Sequence, residues 1–356
     1  MNRCCLTQPV SVSSTADLAP ASWLAGGNSA KEDNLSTVPA YPLSRLRADC
    51  EAAGRRIEPH VRHTPLEYSQ VLSEATGARV HLKLENTQIT GSFKLRGATN
   101  ALVILGEAQR GVVAASSGNH GLAVAHASLV IGTRAVVFVP EEANPSKVRG
   151  IEELGAEIRR VGGDPVEAEH AARRYADQSG LPYISPYNDR AVVAGQGTIG
   201  VELVDDLPAI DIIVASMGGG GLVSGAGGYL KSVLGTRVLA CSPANSAVMH
   251  ESLKAGHVLD LPSLPTLSDG TAGGVESDSV TFGLCRQVVD DSVTVSEDEI
   301  AAAMRLVIER HHMLIEGSAG VAVAGFLKTE ERWRGREVVI VLCGANVEPE
   351  VLKRVL

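Results

Sequence analysis

From about Tyr41 onward the chain alternates short unbroken apolar runs with stretches of helical spacing, and this alternation leaves one broad architecture open to it. Residues 80–84, 111–115, 134–139, 157–161, 212–215, 238–240 and 338–342 read as strands. Residues 43–53, 97–105, 119–131 and 144–154 carry helical spacing. Continuous apolar strands are those buried on both faces. Strands separated by helices pair in parallel, with the helices covering the sheet. The spacing predicts an α/β chain of mainly parallel sheet with flanking helices. No repeat of fixed period is visible.

Residues 1–40 differ from the rest. They are rich in Ser, Ala, Thr, Asn and Pro, with no regular apolar period, and read as a disordered N-terminal extension. No apolar segment follows Arg3 as a secretory signal requires. The remaining length suits about two domains, and no appended regulatory module is expected. The formal net charge of −9 argues against nucleic acid as a partner, because phosphate backbones attract basic surfaces. No run approaches the roughly 20 apolar residues that span a bilayer. The six cysteines show no C-x-x-C spacing and are too sparse for a disulfide scaffold, so free thiols in a reducing cytoplasm are expected. Glycine, at 37 residues, exceeds the average of about 7%, and the excess is clustered.

Four segments carry chemistry. Lys94 stands between a Gly-Ser turn and a helix start, flanked by Phe93 and Leu95, which keep it dry. Burial disfavours an ammonium, so a neutral nucleophilic amine becomes accessible near neutral pH. Such an amine forms a Schiff base with an aldehyde. Ser116, Ser117, Gly118, Asn119, His120 and Gly121 follow a strand and open a helix, where free N–H groups make an anion site. That site suits a carboxylate or a phenolate oxygen. Gly218, Gly219, Gly220 and Gly221 follow the strand at 212–216, and four missing β-carbons let N–H groups converge on a compact phosphate. The spacing matches no nucleotide-binding motif. Cys343 follows the strand at 338–342, beyond the carboxyl end where open α/β sheets bind ligands. Its thiol is a weak, uncharged partner. Taken singly, the four segments also read as a loop lysine, a capping turn, a flexible turn and a small core residue.

An amine, a carboxylate cradle, a phosphate cup and a neutral partner for a ring nitrogen are together what pyridoxal 5′-phosphate needs. At this point the sequence resembles the fold-type II pyridoxal-phosphate enzymes (tryptophan synthase beta-like), in the threonine dehydratase and serine racemase branch. The matching motifs, in family order, are SFKLRGA (92–98), SSGNHG (116–121), AGQGT (194–198), GGGG (218–221) and CGAN (343–346). The resemblance covers about residues 43–356. It implies two open twisted mainly parallel sheets. It also implies a large cofactor-binding domain (41–85 and 186–356) and a small mobile domain (86–185). Lys94 would carry the cofactor as a Schiff base, and Phe93 would pack on its ring. Asn119 would bond the ring hydroxyl. Gly218, Gly219, Gly220, Gly221 and Leu222 would hold the phosphate. Cys343 would face the ring nitrogen, with Glu316 nearby. Ser116, Ser117 and His120 would bind the substrate carboxylate region.

The resemblance implies an ammonia-lyase (dehydratase) that converts a β-hydroxy amino acid, such as L-threonine or L-serine, to a 2-oxo acid and ammonia. Lys94 would act as general base. A neutral thiol opposite the ring would favour prompt loss of the β-hydroxyl over transamination. The alternatives are a serine or amino-acid racemase, and a dehydratase of another hydroxylated amino-acid-like compound such as hydroxyectoine. Ser117 occupies the racemase's second-face acid/base position, which keeps racemisation open. Tyr187 stands where the biosynthetic dehydratases have an aromatic, which favours dehydration of a less polar substrate. Ser242 and Val248 replace the two hard-oxygen ligands of the metal-binding branch, so no metal is expected there. The segment 269–274 departs from both branches, and its small residues could enlarge the pocket. The expected partner is a small amino-acid substrate, with no nucleic acid or membrane, in a cytoplasmic homodimer or homotetramer.

Overall fold

The computed structural model describes residues 41–106 and 110–356. The extension expected over 1–40, with Cys4 and Cys5, lies outside the described residues. Among the described residues there are nine strands: β1 (Leu66–Tyr68), β2 (Arg79–Lys83), β3 (Val112–Ala115), β4 (Ala135–Val139), β5 (Glu157–Arg160), β6 (Ile212–Ser216), β7 (Arg237–Pro243), β8 (Asp291–Val295) and β9 (Glu337–Val341). Six of them form one sheet in the order β1-β2-β9-β6-β7-β8, and β3-β4-β5 form a second. Every pairing is parallel except β1 with β2.

Burial accounts for this arrangement. Ile212, Ile213, Val338, Val339, Ile340 and Val341 are all buried, because helices cover both faces of the central strands. In the smaller sheet successive side chains point to opposite faces. Val112, Ala114 and Val137 join one core with the helices Lys94–Leu105 and Asn119–Ile131. Val113, Val136 and Phe138 join another with the helix Pro165–Ser179. The two strands that apolar runs did not mark, β1 and β8, are the edges of the large sheet and only partly buried. Among the described residues no helix is long and apolar enough to cross a membrane.

The helix expected over 97–105 begins earlier, at Lys94. Two features hold its entry. The Phe93 N–H donates to the Cys343 carbonyl at 3.0 Å. Ser92 bridges to Gly344. One turn in, the fully buried Arg96 lies in an ionic cluster. Its Nε and Nη2 each donate to Glu85 at 2.8 Å, and its Nη1 donates to Glu202 at 2.6 Å. Lys83, also fully buried, donates to Glu202 at 2.7 Å and to the Thr64 carbonyl at 2.7 Å. The cluster ties β2, the lysine helix and the helix Arg190–Asp206 together.

Candidate active site

β6 and β9 end side by side, and their carboxyl ends deliver the two segments that frame the pocket, as in other open parallel sheets. After β6 come the four glycines. A β-carbon on Gly219 would collide with the ring of Tyr187, and Gly220 has φ of +84°, where a side chain is strained. The following helical segment starts at Gly221, widens through Val223–Gly227 and continues as Gly228–Leu234. The first N–H groups of a helix have no partner within it, so the glycine turn presents donors to an anion.

Lys94 stands opposite. Its Nζ donates to the Pro186 carbonyl at 2.9 Å and lies 5.2 Å from the centre of the Phe93 ring. Removal from water pushes its pKa down to about 8, so a usable fraction is a neutral amine near neutral pH. Cys343 is buried, and the Ser216 hydroxyl donates to its sulfur at 3.6 Å. Burial raises the thiol far above its usual range, so it stays uncharged. Glu316 is buried as well, and its pKa is pushed up to about 7 by that burial. It accepts from the Asn119 amide at 2.9 and 3.0 Å and from the Asn346 N–H at 3.1 Å. Asn119 Oδ1 in turn accepts from the Asn346 amide at 2.6 Å.

Phe93, Lys94, Asn119, Tyr187, Gly218, Gly219, Gly220, Gly221, Leu222, Glu316 and Cys343 thus line one pocket. Three expected residues stand outside that lining. Ser116 Oγ accepts from the Gly118 N–H at 3.1 Å and closes its own turn. Ser117 is half-buried in the same turn. His120 is buried, with Nε2 2.8 Å from the Ile184 carbonyl. Gly118 occupies the helix cap position. Ser216, Gly270, Thr271 and Ser318 also line the pocket and had not been singled out by role. Gly270 and Thr271 belong to the unusual segment 269–274. Ser216 and Ser318 carried no signal beyond adjacency, to the glycine turn and to Glu316. At the other branch's metal position, the Ser242 hydroxyl donates to the Met217 carbonyl at 2.8 Å, and Val248 is buried in the core. Cys50, Cys241, Cys285 and Cys343 are buried free thiols.

The donor set fits one cofactor: a dry amine for an aldehyde, a cup with no room for β-carbons for a phosphate, and an uncharged thiol for a ring nitrogen. A family model for pyridoxal-phosphate dependent enzymes matches residues 57–344. The chain belongs to that family. An L-threonine ammonia-lyase of Thermotoga maritima is 40% identical over 311 residues, covering 86% of this chain and 77% of that protein. A serine racemase of Dictyostelium discoideum is 35% identical over 315 residues, covering 86% of this chain and 97% of that protein. The structure of the processed form of threonine deaminase isoform 2 from Solanum lycopersicum superposes with a TM-score of 0.84 at 31% identity. It covers 88% of this chain and 87% of that one. The fold is that of the fold-type II pyridoxal-phosphate enzymes.

The cup makes a direct prediction. Gly219→Ala forces a methyl against Tyr187, and overpacking of that kind costs about 1–3 kcal/mol, which taken out of cofactor binding is roughly 5- to 150-fold in affinity. Titration with pyridoxal 5′-phosphate, followed by absorbance, should show that weakening. Unchanged affinity would show that Gly219 does not hold a phosphate.

Proposed function

We propose that this enzyme is an ammonia-lyase that dehydrates a β-hydroxy amino acid, with L-threonine and L-serine as substrates, to a 2-oxo acid and ammonia. The observation that carries it is the pairing of Lys94 with the uncharged Cys343 in one glycine-floored pocket. When bound, the cofactor supplies an electron sink for the substrate's α-carbon. Lys94 Nζ takes the α-proton, and a pKa of about 8 suits a base that must both accept and return a proton. Cys343, held protonated by burial, would present no negative charge to the ring nitrogen of a bound cofactor. That arrangement favours departure of the β-hydroxyl over long storage of charge. Glu316, with a pKa of about 7, keeps Asn119 and Asn346 in place. Tyr187 walls the pocket with an aromatic face, which suits a methyl-bearing side chain. The names of the Thermotoga and tomato relatives support the same chemistry.

The roles of the site residues are part of the proposal. Phe93 would pack on the cofactor ring, the glycine turn with Leu222 would hold its phosphate, and Ser116 and Ser117 would lie toward the substrate carboxylate, whereas His120, expected there too, bonds the Ile184 carbonyl instead. Residues 86–185 form the small mobile domain over a large domain of 41–85 and 186–356. Containment of the whole three-stranded sheet within 86–185 supports that division. A cytoplasmic homodimer or homotetramer completes the reading, and the four buried free thiols support a reducing compartment.

A panel of L- and D-β-hydroxy amino acids, assayed for 2-oxo acid and for enantiomer composition in the same tubes, tests it. Prompt 2-oxo acid from L-threonine or L-serine is the expected result. Enantiomer exchange without oxo acid would transfer the enzyme to the racemases, a reading that Ser117 and the Dictyostelium relative favour. Silence on both, with the cofactor bound, would point through the segment 269–274 to a bulkier hydroxylated substrate such as hydroxyectoine. Ser117→Ala should abolish any racemisation and leave dehydration within about threefold, since a base on the other face is not used for elimination. Equal loss of both activities would refute a separate role for Ser117.

A further inference from the structure

His120 was expected at the substrate, yet its ring is buried and turned toward the main chain. Its Nε2 lies 2.8 Å from the Ile184 carbonyl. A carbonyl only accepts, so Nε2 carries the proton. Nδ1 is buried with no hydrogen-bond partner. Burial foremost, and then the charge of Lys94, pushes the ring's pKa down to about 3, so it is neutral.

The segment that His120 holds leads directly to the reacting amine. The Ile184 N–H donates to the Val113 carbonyl at 2.8 Å, which docks it beside β3. Ser185 Oγ accepts from the Asn188 N–H at 2.9 Å and shapes the turn. The Pro186 carbonyl accepts from Lys94 Nζ at 2.9 Å. Tyr187 presses its ring on Gly219, and its hydroxyl accepts from the Glu276 N–H at 3.1 Å. Four consecutive residues therefore connect a buried imidazole to the amine and to the glycine cup.

We infer that His120 is a positioning residue: its Nε2–H bond to the Ile184 carbonyl fixes residues 184–187, so that Pro186 aims the Lys94 amine and Tyr187 closes the wall over Gly219. The inference rests on the reading of Lys94 as the amine that meets the cofactor. It assigns His120 no contact with substrate. Glutamine can place an amide donor where Nε2 lies, whereas leucine fills the space without one.

The test compares His120→Leu and His120→Gln as full-length holoenzymes. Three quantities are read: kcat and KM for L-threonine, the melting temperature, and the visible circular dichroism of the bound cofactor without substrate. His120→Leu should lower kcat roughly 10- to 100-fold, the scale of a displacement of about 1 Å, with KM within about threefold. It should also diminish the substrate-free dichroism. His120→Gln should recover both to within about threefold of the parent enzyme. A raised KM at unchanged kcat would overturn the inference in favour of a substrate contact. Losses that glutamine does not repair, in step with the melting temperature, would reduce His120 to a packing residue. Should His120→Leu fail to fold, Ser185→Ala loosens the same turn from its other side. It must then diminish the dichroism, and an unchanged signal sinks the inference. If the parent enzyme is silent on L-threonine, the substrate proposal fails, while the substrate-free dichroism still decides the role of His120.

Discussion

Lys94→Ala is expected to eliminate turnover, with a fall in kcat of roughly 10⁴-fold or more, because one side chain both anchors the cofactor and moves the α-proton. The amine is set up for both tasks by its surroundings. It opens the helix Lys94–Leu105, is held by the Pro186 carbonyl, and is pushed down to about 8 by burial. An alanine there leaves the glycine cup and Cys343 intact, so the protein should still bind the cofactor through its phosphate. The visible absorption of the holoenzyme should shift away from that of the lysine-linked form. Release of 2-oxo acid from L-threonine and the absorption spectrum together check the prediction. Activity above about one per cent of the parent would show that another group takes the proton.

The second large effect is on stability and lies behind the site. Arg96→Met should destabilise the fold by about 3–5 kcal/mol, the usual result of removing one member of a buried ionic cluster. The guanidinium makes a two-pronged contact to Glu85, which is itself fully buried, and a second contact to Glu202. Methionine fills much of the volume but leaves Glu85 buried without a counter-charge. For a chain of this size that loss corresponds to a fall in melting temperature of roughly 5 °C. Lys83 already donates to Glu202, Asp206 and the Thr64 carbonyl, so its charge is engaged elsewhere. A shift below about 1 °C would mean that water or rearrangement compensates the orphaned carboxylate. Glu85→Gln keeps one acceptor for Arg96 and should cost less than the arginine change.

Much of the architecture was legible in the residues because buried parallel strands leave a strong mark. β4, β6 and β9 are unbroken apolar runs, and the structure places each within about two residues of its expected span. β1 and β8 left no such mark: they are sheet edges, half solvated, and β1 is only three residues long. The glycine turn was legible for a related reason. A run of four residues without β-carbons is rare unless something must come close, and here Tyr187 and the Thr271 carbonyl do. Cys343 could be picked out because it ends a buried strand. Ser216 and Ser318 could not, since nothing local separates a pocket serine from a core serine.

The sequence by itself therefore determined the pattern of strands and helices, the family motifs and the kinds of group available to the site: an amine, a thiol, a glycine turn and an acid. These are local properties, written in periodicity and in side-chain type. Tertiary structure alone decided what state those groups are in. Glu316 meets Asn119 across 197 positions of chain, and Lys94 meets the Pro186 carbonyl across 92. The bond of His120 to the Ile184 carbonyl is a contact of the same kind, across 64 positions. Protonation and aim depend on which distant atoms exclude water and which accept a hydrogen bond, and only the folded chain brings those atoms together.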